Sequence, residues 1–215
     1  MTILALEFSS PQRSVAVVRA GGVTEAIETG GRGTNAFSLI EKVLAESGTA
    51  REQIEVIAVG LGPGSYTGIR VALSIAQGWQ LARGIKLLGV NSAECLAAQA
   101  QAEKIFGRVN VVIDAQRNEF YRASHEVSPN GCKEMESLRI VSLFELQSRA
   151  NTGEIWVGPE VTRWLPKGKI LFPSAATLGQ LAARRGDFVR GDQLAPIYLR
   201  EAKFVKAPPP NPIVF

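Results

Sequence analysis

Val109-Asn110-Val111-Val112-Ile113-Asp114-Ala115-Gln116-Arg117-Asn118, continued by residues 119–127, repeats the pattern with which the chain opens. In both places an apolar run reads as a strand, ends in a carboxylate (Glu7 or Asp114), and turns through polar residues into a second strand. At the start the two runs are residues 2–7 and 14–19, joined by Ser9-Ser10-Pro11-Gln12-Arg13, with residues 23–28 as a third strand. The repetition is one of pattern rather than identity, and it indicates two sheet-plus-helix halves, residues 1–106 and 107–215.

Working outward from these hairpins, Thr34 or Asn35 caps a helix that runs to Ser47, with Ala36, Phe37, Ile40, Val43, Leu44 and Ser47 on one face and Gly48 as its stop. Gly60-Leu61-Gly62-Pro63-Gly64-Ser65-Tyr66-Thr67-Gly68-Ile69-Arg70 then joins a buried strand, 54–60, to a helix, 69–83. Two readings fit this turn. Unpaired N–H groups at a helix start make an anion cradle, and a tight turn needs small residues for steric reasons alone. It is neither of two stronger phosphate motifs: no Gly-Lys-Ser or Gly-Lys-Thr follows, and Ser65 stands where a dinucleotide fingerprint needs its third glycine. The helix 69–83 is apolar nearly all round, which predicts cover on more than one side. Gly84 ends it, 87–90 is a short strand, and Ser92 caps a helix through Lys104. The second half continues with a strand near 133–141, a helix over 143–149, strands 154–158 and 169–172, and a helix 175–185. The proline-rich run 207–212 is expected to be extended.

With 215 residues, 46% of them hydrophobic and 20% charged, the chain fits one medium folded domain or two small ones and excludes a disordered protein. The opening lacks the pattern of a signal peptide and no apolar run reaches the length of a membrane span, so a cytoplasmic protein is expected. Cys95 and Cys132 offer neither a disulfide framework nor a metal knuckle. Residues 163–206 carry nine basic side chains against three acids, leaving the rest of the chain slightly acidic. That basic segment suits either a solvated surface or contact with RNA phosphates or an acidic partner.

Duplicated halves that each open with strand, acid and hairpin resemble the α/β, two-lobed fold of actin, the sugar kinases and Hsp70 (the ASKHA fold). The glycine turn, with Gly89-Val90-Asn91 after it, Ile113 to Tyr121 and Pro196-Ile197-Tyr198-Leu199-Arg200, closely resembles the bacterial TsaB (YeaZ) family. That family is the non-catalytic paralogue of TsaD, the subunit that completes threonylcarbamoyl-adenosine on tRNAs reading codons that start with A. The resemblance implies a scaffold or activator that pairs with a TsaD-like subunit, meets a TsaE-like ATPase through the complex, and touches tRNA indirectly. It places the partner interface on the helices 36–47 and 69–83, for which Phe37, Ile40, Val43, Leu44, Ile69, Leu73, Ala76 and Gln80 are the candidate residues. The same apolar helices predict a homodimer in isolation.

Departures from the TsaD pattern bear on chemistry. After Gly-Val-Asn, TsaD carries two metal-binding histidines four residues apart; Ser92 and Leu96 occupy those places here, and His125 is the chain's single histidine. No metal site, no catalytic residue and no tightly held cofactor are expected, and ATP or ADP, if present, belongs at the junction with TsaD. A peptidase role for His125 lacks a Gly-x-Ser-x-Gly elbow, and the residue reads as packed structure. An independent nucleotide-binding enzyme remains the alternative. It would hold phosphate with Gly62, Gly64, Ser65, Thr67, Gly68, Glu7 and Asp114, although Trp156-Val157-Gly158-Pro159-Glu160 offers one glycine and a rigid proline on the adenosine side. Against that reading, Glu7 and Asp114 can simply accept hydrogen bonds from their own hairpins.

Overall fold

The computed structural model describes residues 1–29, 35–150 and 153–199. Its elements run β1 (Ile3–Glu7), β2 (Gln12–Arg19), β3 (Gly22–Thr29), α1 (Ala36–Ser47), β4 (Val56–Gly60), α2 (Tyr66–Arg83), β5 (Lys86–Val90) and α3 (Ser92–Ala102). They continue with β6 (Gly107–Asp114), β7 (Glu119–Ser128), β8 (Gly131–Ser142), α4 (Leu143–Arg149), β9 (Ile155–Gly158), β10 (Lys169–Ile170) and α5 (Ala175–Ala182). The alternative cap Thr34, the end of the Pro196–Arg200 motif and the proline-rich tail lie outside the described residues.

The strands form two five-stranded sheets, ordered β3-β2-β1-β4-β5 and β8-β7-β6-β9-β10. The second order is the first with each strand replaced by its counterpart, and in both sheets an antiparallel hairpin precedes a strand added in parallel beside its first member. This shared topology is the duplicated, two-lobed ASKHA fold.

Alternation along β1 sets the layers of the first sheet. Leu4 and Leu6 join Val15, Val17, Ile57 and Val59 beneath α1 and α2, while Ile3 and Ala5 meet α5 on the other face. In the second sheet Val109, Val111 and Ala123 pack beneath Leu96 and Ala100 of α3, and Val112, Phe120 and Trp156 pack with Leu146 of α4. On that latter face the fully buried Arg122 donates to Asn110 Oδ1 at 3.1 and 2.6 Å and to Glu136 Oε2 at 2.7 Å. The guanidinium thereby holds Glu136 at about 2, well below the usual carboxylate range. A cut at 106/107 separates the sheets, yet it severs α3 from the sheet it covers, and α5 returns from the second half to cover the first sheet.

Local signals set the helix ends. Asn35 Oδ1 accepts from Phe37 N–H at 3.0 Å, and Gly48 and Gly84 close α1 and α2 in the left-handed region. Ser65 rather than a later residue starts α2, so the helix begins at Tyr66 and not at 69. Asn91, not Ser92, caps α3, accepting from Ala93 N–H at 2.8 Å and freeing the Ser92 hydroxyl for another partner. No helix among the described residues is long and apolar enough to cross a membrane.

Candidate functional site

The glycine turn lies against the first hairpin. A Cβ on Gly64 would fall 2.0 Å from the Ser9 carbonyl oxygen, and one on Gly68 would fall 2.0 Å from that of Phe8. Ser65 N–H donates to Ser9 O at 2.7 Å, and Gly68 N–H donates to Ser65 Oγ at 3.3 Å. Two amides of the expected cradle are therefore engaged inside the chain, and close backbone approach accounts for the glycines at 64 and 68. Gly158 meets a similar limit, because a Cβ there would lie 1.9 Å from Val112 O.

The two hairpin acids have different fates. Glu7 is fully buried; Oε1 accepts from Ser9 N–H at 2.7 Å and Oε2 accepts from Ser92 Oγ at 3.3 Å. Burial pushes its pKa up, opposed by the hydrogen bonds from Ser9 and Ser92. Asp114 is half-buried, with Oδ1 accepting from Gln116 N–H at 2.7 Å and Oδ2 from Gln116 Nε2 at 3.0 Å. Its hairpin turns through Gln116, Arg117 and Asn118 at φ of 65°, 61° and 60°.

Between the lobes runs a cleft of about 460 Å³, where Gly64, Ser65 and Asp114 from the predicted phosphate set come together with Tyr66, Tyr198 and Glu160. The other predicted members do not line it: Glu7 is sealed beneath, Gly62 and Gly68 are buried within the turn, and Thr67 faces elsewhere. Of the expected phosphate set the structure thus brings only Gly64, Ser65 and Asp114 to the cleft; Gly68 lies against the hairpin backbone and Gly62 against the Ile69 side chain.

The predicted interface also needs correction. Ile40, Val43, Leu44, Ile69, Leu73 and Ala76 are all buried in the core cluster of the first sheet, and of these only Ile69 reaches an open surface, at the interlobe cleft. Gln80 is half-buried and occupied, with Oε1 accepting from Gly191 N–H at 2.6 Å and Nε2 donating to Ile85 O at 3.2 Å. Phe37 alone of the set is well exposed, at 61%. It stands beside the outward row of α2, where Thr67, Val71, Ser74 and Gly78 follow one another at helical spacing and, with Trp79, line an open, largely apolar groove of about 540 Å³. Of the small residues Ala72, Ala76 and Gly78 that the sequence offers for close approach of a partner, only Gly78 lies on this face; Val71 and Ser74 went unnoticed because they look neutral until the other side of the helix is known to be covered.

A model of the family described as "TsaD: tRNA N6-adenosine threonylcarbamoyltransferase" matches residues 12–179. The "tRNA threonylcarbamoyladenosine biosynthesis protein TsaB" of Escherichia coli is 29% identical, over 93% of this chain and 95% of that protein. The solved structure of YeaZ from Pseudomonas aeruginosa superimposes with a TM-score of 0.79 at 26% identity, over 92% of this chain and 99% of the other. The chain belongs to the TsaD family, on its TsaB (YeaZ) branch. A Geobacter "tRNA N6-adenosine threonylcarbamoyltransferase" is 29% identical as well, but over only 57% of this chain and 42% of its own length.

Ser92 and Leu96, the two places that the resemblance to TsaD singled out, lie in the interior of this chain. Ser92 has its hydroxyl on Glu7, and Leu96 packs among the strands of the second sheet. Among the described residues no three of His, Cys, Asp and Glu converge as metal ligands would. His125 is 5% exposed on the α3 side of β7; burial lowers its pKa against the opposing pull of Glu134, and its buried Nδ1 has no hydrogen-bond partner. A triad histidine needs an acid on that nitrogen. Part of the basic segment is matched on the surface, Arg185 by Asp187 at 2.6 Å and Glu94 at 3.3 Å, and Arg190 by Asp192 at 3.3 Å.

Proposed function

We propose that this chain works in tRNA threonylcarbamoyladenosine biosynthesis as a non-catalytic subunit that pairs with a TsaD-type transferase. The observation that carries the reading is the open apolar groove over α1 and α2, in a chain whose two hairpin acids are already hydrogen-bonded internally, Glu7 in the interior and Asp114 at the cleft. The names of its relatives support the pathway, and family membership supports a TsaD-like partner. In this reading the groove holds TsaD in the working complex and a second copy of the chain when TsaD is absent. A TsaE-like ATPase and the tRNA are reached through the complex, and ATP or ADP belongs to the subunit junction. Co-purification with the TsaD of the same genome, followed by a tRNA modification assay with and without this chain, is the test. The expected result is no transfer by the chain alone and transfer by TsaD that depends on it.

The alternative, an independent ATPase, is favoured by Gly64, Ser65 and Asp114, which share the cleft. It requires turnover by the isolated chain that disappears in Asp114→Asn.

A further inference from the structure

A cavity of about 380 Å³ shares no lining residue with the interlobe cleft or with the α2 groove. It lies between α3, the β7–β8 hairpin and the end of α5. One wall is the face of α3 turned away from Ser92 and Leu96, where Glu94, Ala97, Ala98 and Gln101 follow one another at helical spacing. Facing it are His125 of β7 and Glu134 of β8, which stand directly across the ladder from each other. Alanines in place of longer side chains leave a furrow where helix and sheet would otherwise close on one another.

The furrow contains a polar ring for which the chain supplies no partner. His125 is 5% exposed and lines the cavity, and neither of its nitrogens is hydrogen-bonded to a described residue. An imidazole buried in this way costs what a lost hydrogen bond costs, and packing alone would be served as well by a phenyl ring. Burial lowers its pKa against the pull of Glu134, so at neutral pH the ring is uncharged and offers one N–H and one lone pair.

Charges of both signs flank the ring. Glu94 Oε2 accepts from Arg185 at 3.3 Å and Glu134 Oε1 accepts from the Ser137 hydroxyl, which leaves the other oxygen of each carboxylate unpaired among the described residues. Arg184 also lines the cavity and, unlike Arg185, forms no ion pair with a described residue. The Cys132 thiol is committed to the Ala97 carbonyl at 3.4 Å, and burial together with Glu94 holds its pKa up. A simple anion entering here meets two carboxylates, and a simple cation meets the guanidinium. A small molecule that carries both charges satisfies all three groups.

We infer that this cavity binds a free α-amino acid, its carboxylate on Arg184, its ammonium on Glu94 and Glu134, and a polar side-chain atom on His125. The volume lies in the range of small-molecule sites. The inference does not rest on pairing with a TsaD-type subunit.

Calorimetric titration of the full chain with free serine, asparagine, glutamine and leucine tests it. The N-acetyl and methyl ester forms of the tightest binder, each lacking one charge, are titrated alongside, as are acetate and putrescine. At least one of the polar amino acids is expected to bind saturably. Leucine, both blocked forms and the single-charge probes are expected to be weaker by about tenfold or more, the scale of one ionic hydrogen bond. Arg184→Ala, on an exposed side chain, is expected to weaken the amino acid by about tenfold without lowering the melting temperature. His125→Phe, which keeps a ring and removes both nitrogens, is expected to weaken it as well. No saturable binding of any amino acid, a blocked form or single-charge probe bound as tightly as the free amino acid, or an unchanged affinity in a folded Arg184→Ala protein would overturn the inference.

Discussion

The first hairpin and the second end their leading strands in the same way, but Glu7 is sealed in the interior while Asp114 looks into the cleft. Both acids accept a hydrogen bond from a backbone N–H two residues on. What separates them is the cover supplied by the rest of the chain. Glu7 is enclosed by the first residue of α3, whose hydroxyl it receives, and by Gly60, where a Cβ would fall 2.0 Å from Oε2. Asp114 leads into a left-handed turn and lines the cleft. The two hairpins share the strand and the acid-first turn; α3, which packs on the second sheet, places its first residue on Glu7, while Asp114 lines the cleft.

The largest effect should come from filling the space over Glu7. Gly60→Ala is expected to lower stability by about 3 kcal/mol or more, as overpacking against a buried carboxylate does. Combining it with Glu7→Ala should recover part of that loss in a double-mutant cycle, and strict additivity by denaturant titration would break the picture of Glu7 closed in by Gly60.

Nearly as large is the effect expected at the second lobe's own buried charge. Glu136→Gln leaves Arg122 without its carboxylate and should cost about 3 kcal/mol. The native pair should weaken as pH falls from the ordinary carboxylate range toward about 2, because Glu136 is held low in the folded chain. Chemical denaturation of both proteins across that range measures it.

Glu7 should show the opposite sign. Its folded pKa is raised, so its charge costs nothing in acid and destabilises progressively from the ordinary glutamate range up to the raised value, then stays constant. The advantage of Glu7→Gln over the native chain should therefore grow with pH through that window, and a pH-independent difference would contradict the burial argument. Asp114→Asn should change stability least, by about 1 kcal/mol or less, since the amide keeps one acceptor for the Gln116 N–H.

These contrasts also mark what the sequence discloses. The strands and opening hairpin of each half, a cap at Thr34 or Asn35, the stops at Gly48 and Gly84, and the duplication itself are local or periodic signals, and they were legible; the strand order within each sheet was not. The α3 start was misplaced by one residue because Asn91 and Ser92 are both good caps and only the Ser92 contact to Glu7, 85 positions away, decides between them. The same long range hid the sealing of Glu7 and the exchange of α3 and α5. For the partner face, apolar and small character pointed to Leu73, Ala76 and Gly78, of which the sheet covers the first two; a docking face must be sought on what the core leaves out, here Val71, Ser74 and Gly78.

The central claim is that the outward face of α2 serves a TsaD-type partner. Its most direct test is a tRNA modification assay reconstituted with TsaD and a Ser74→Arg variant, alongside a binding measurement and a melting curve. The account predicts an unchanged melting temperature, loss of TsaD binding and loss of dependent transfer; a folded variant that still binds TsaD and supports transfer at the native level would contradict it.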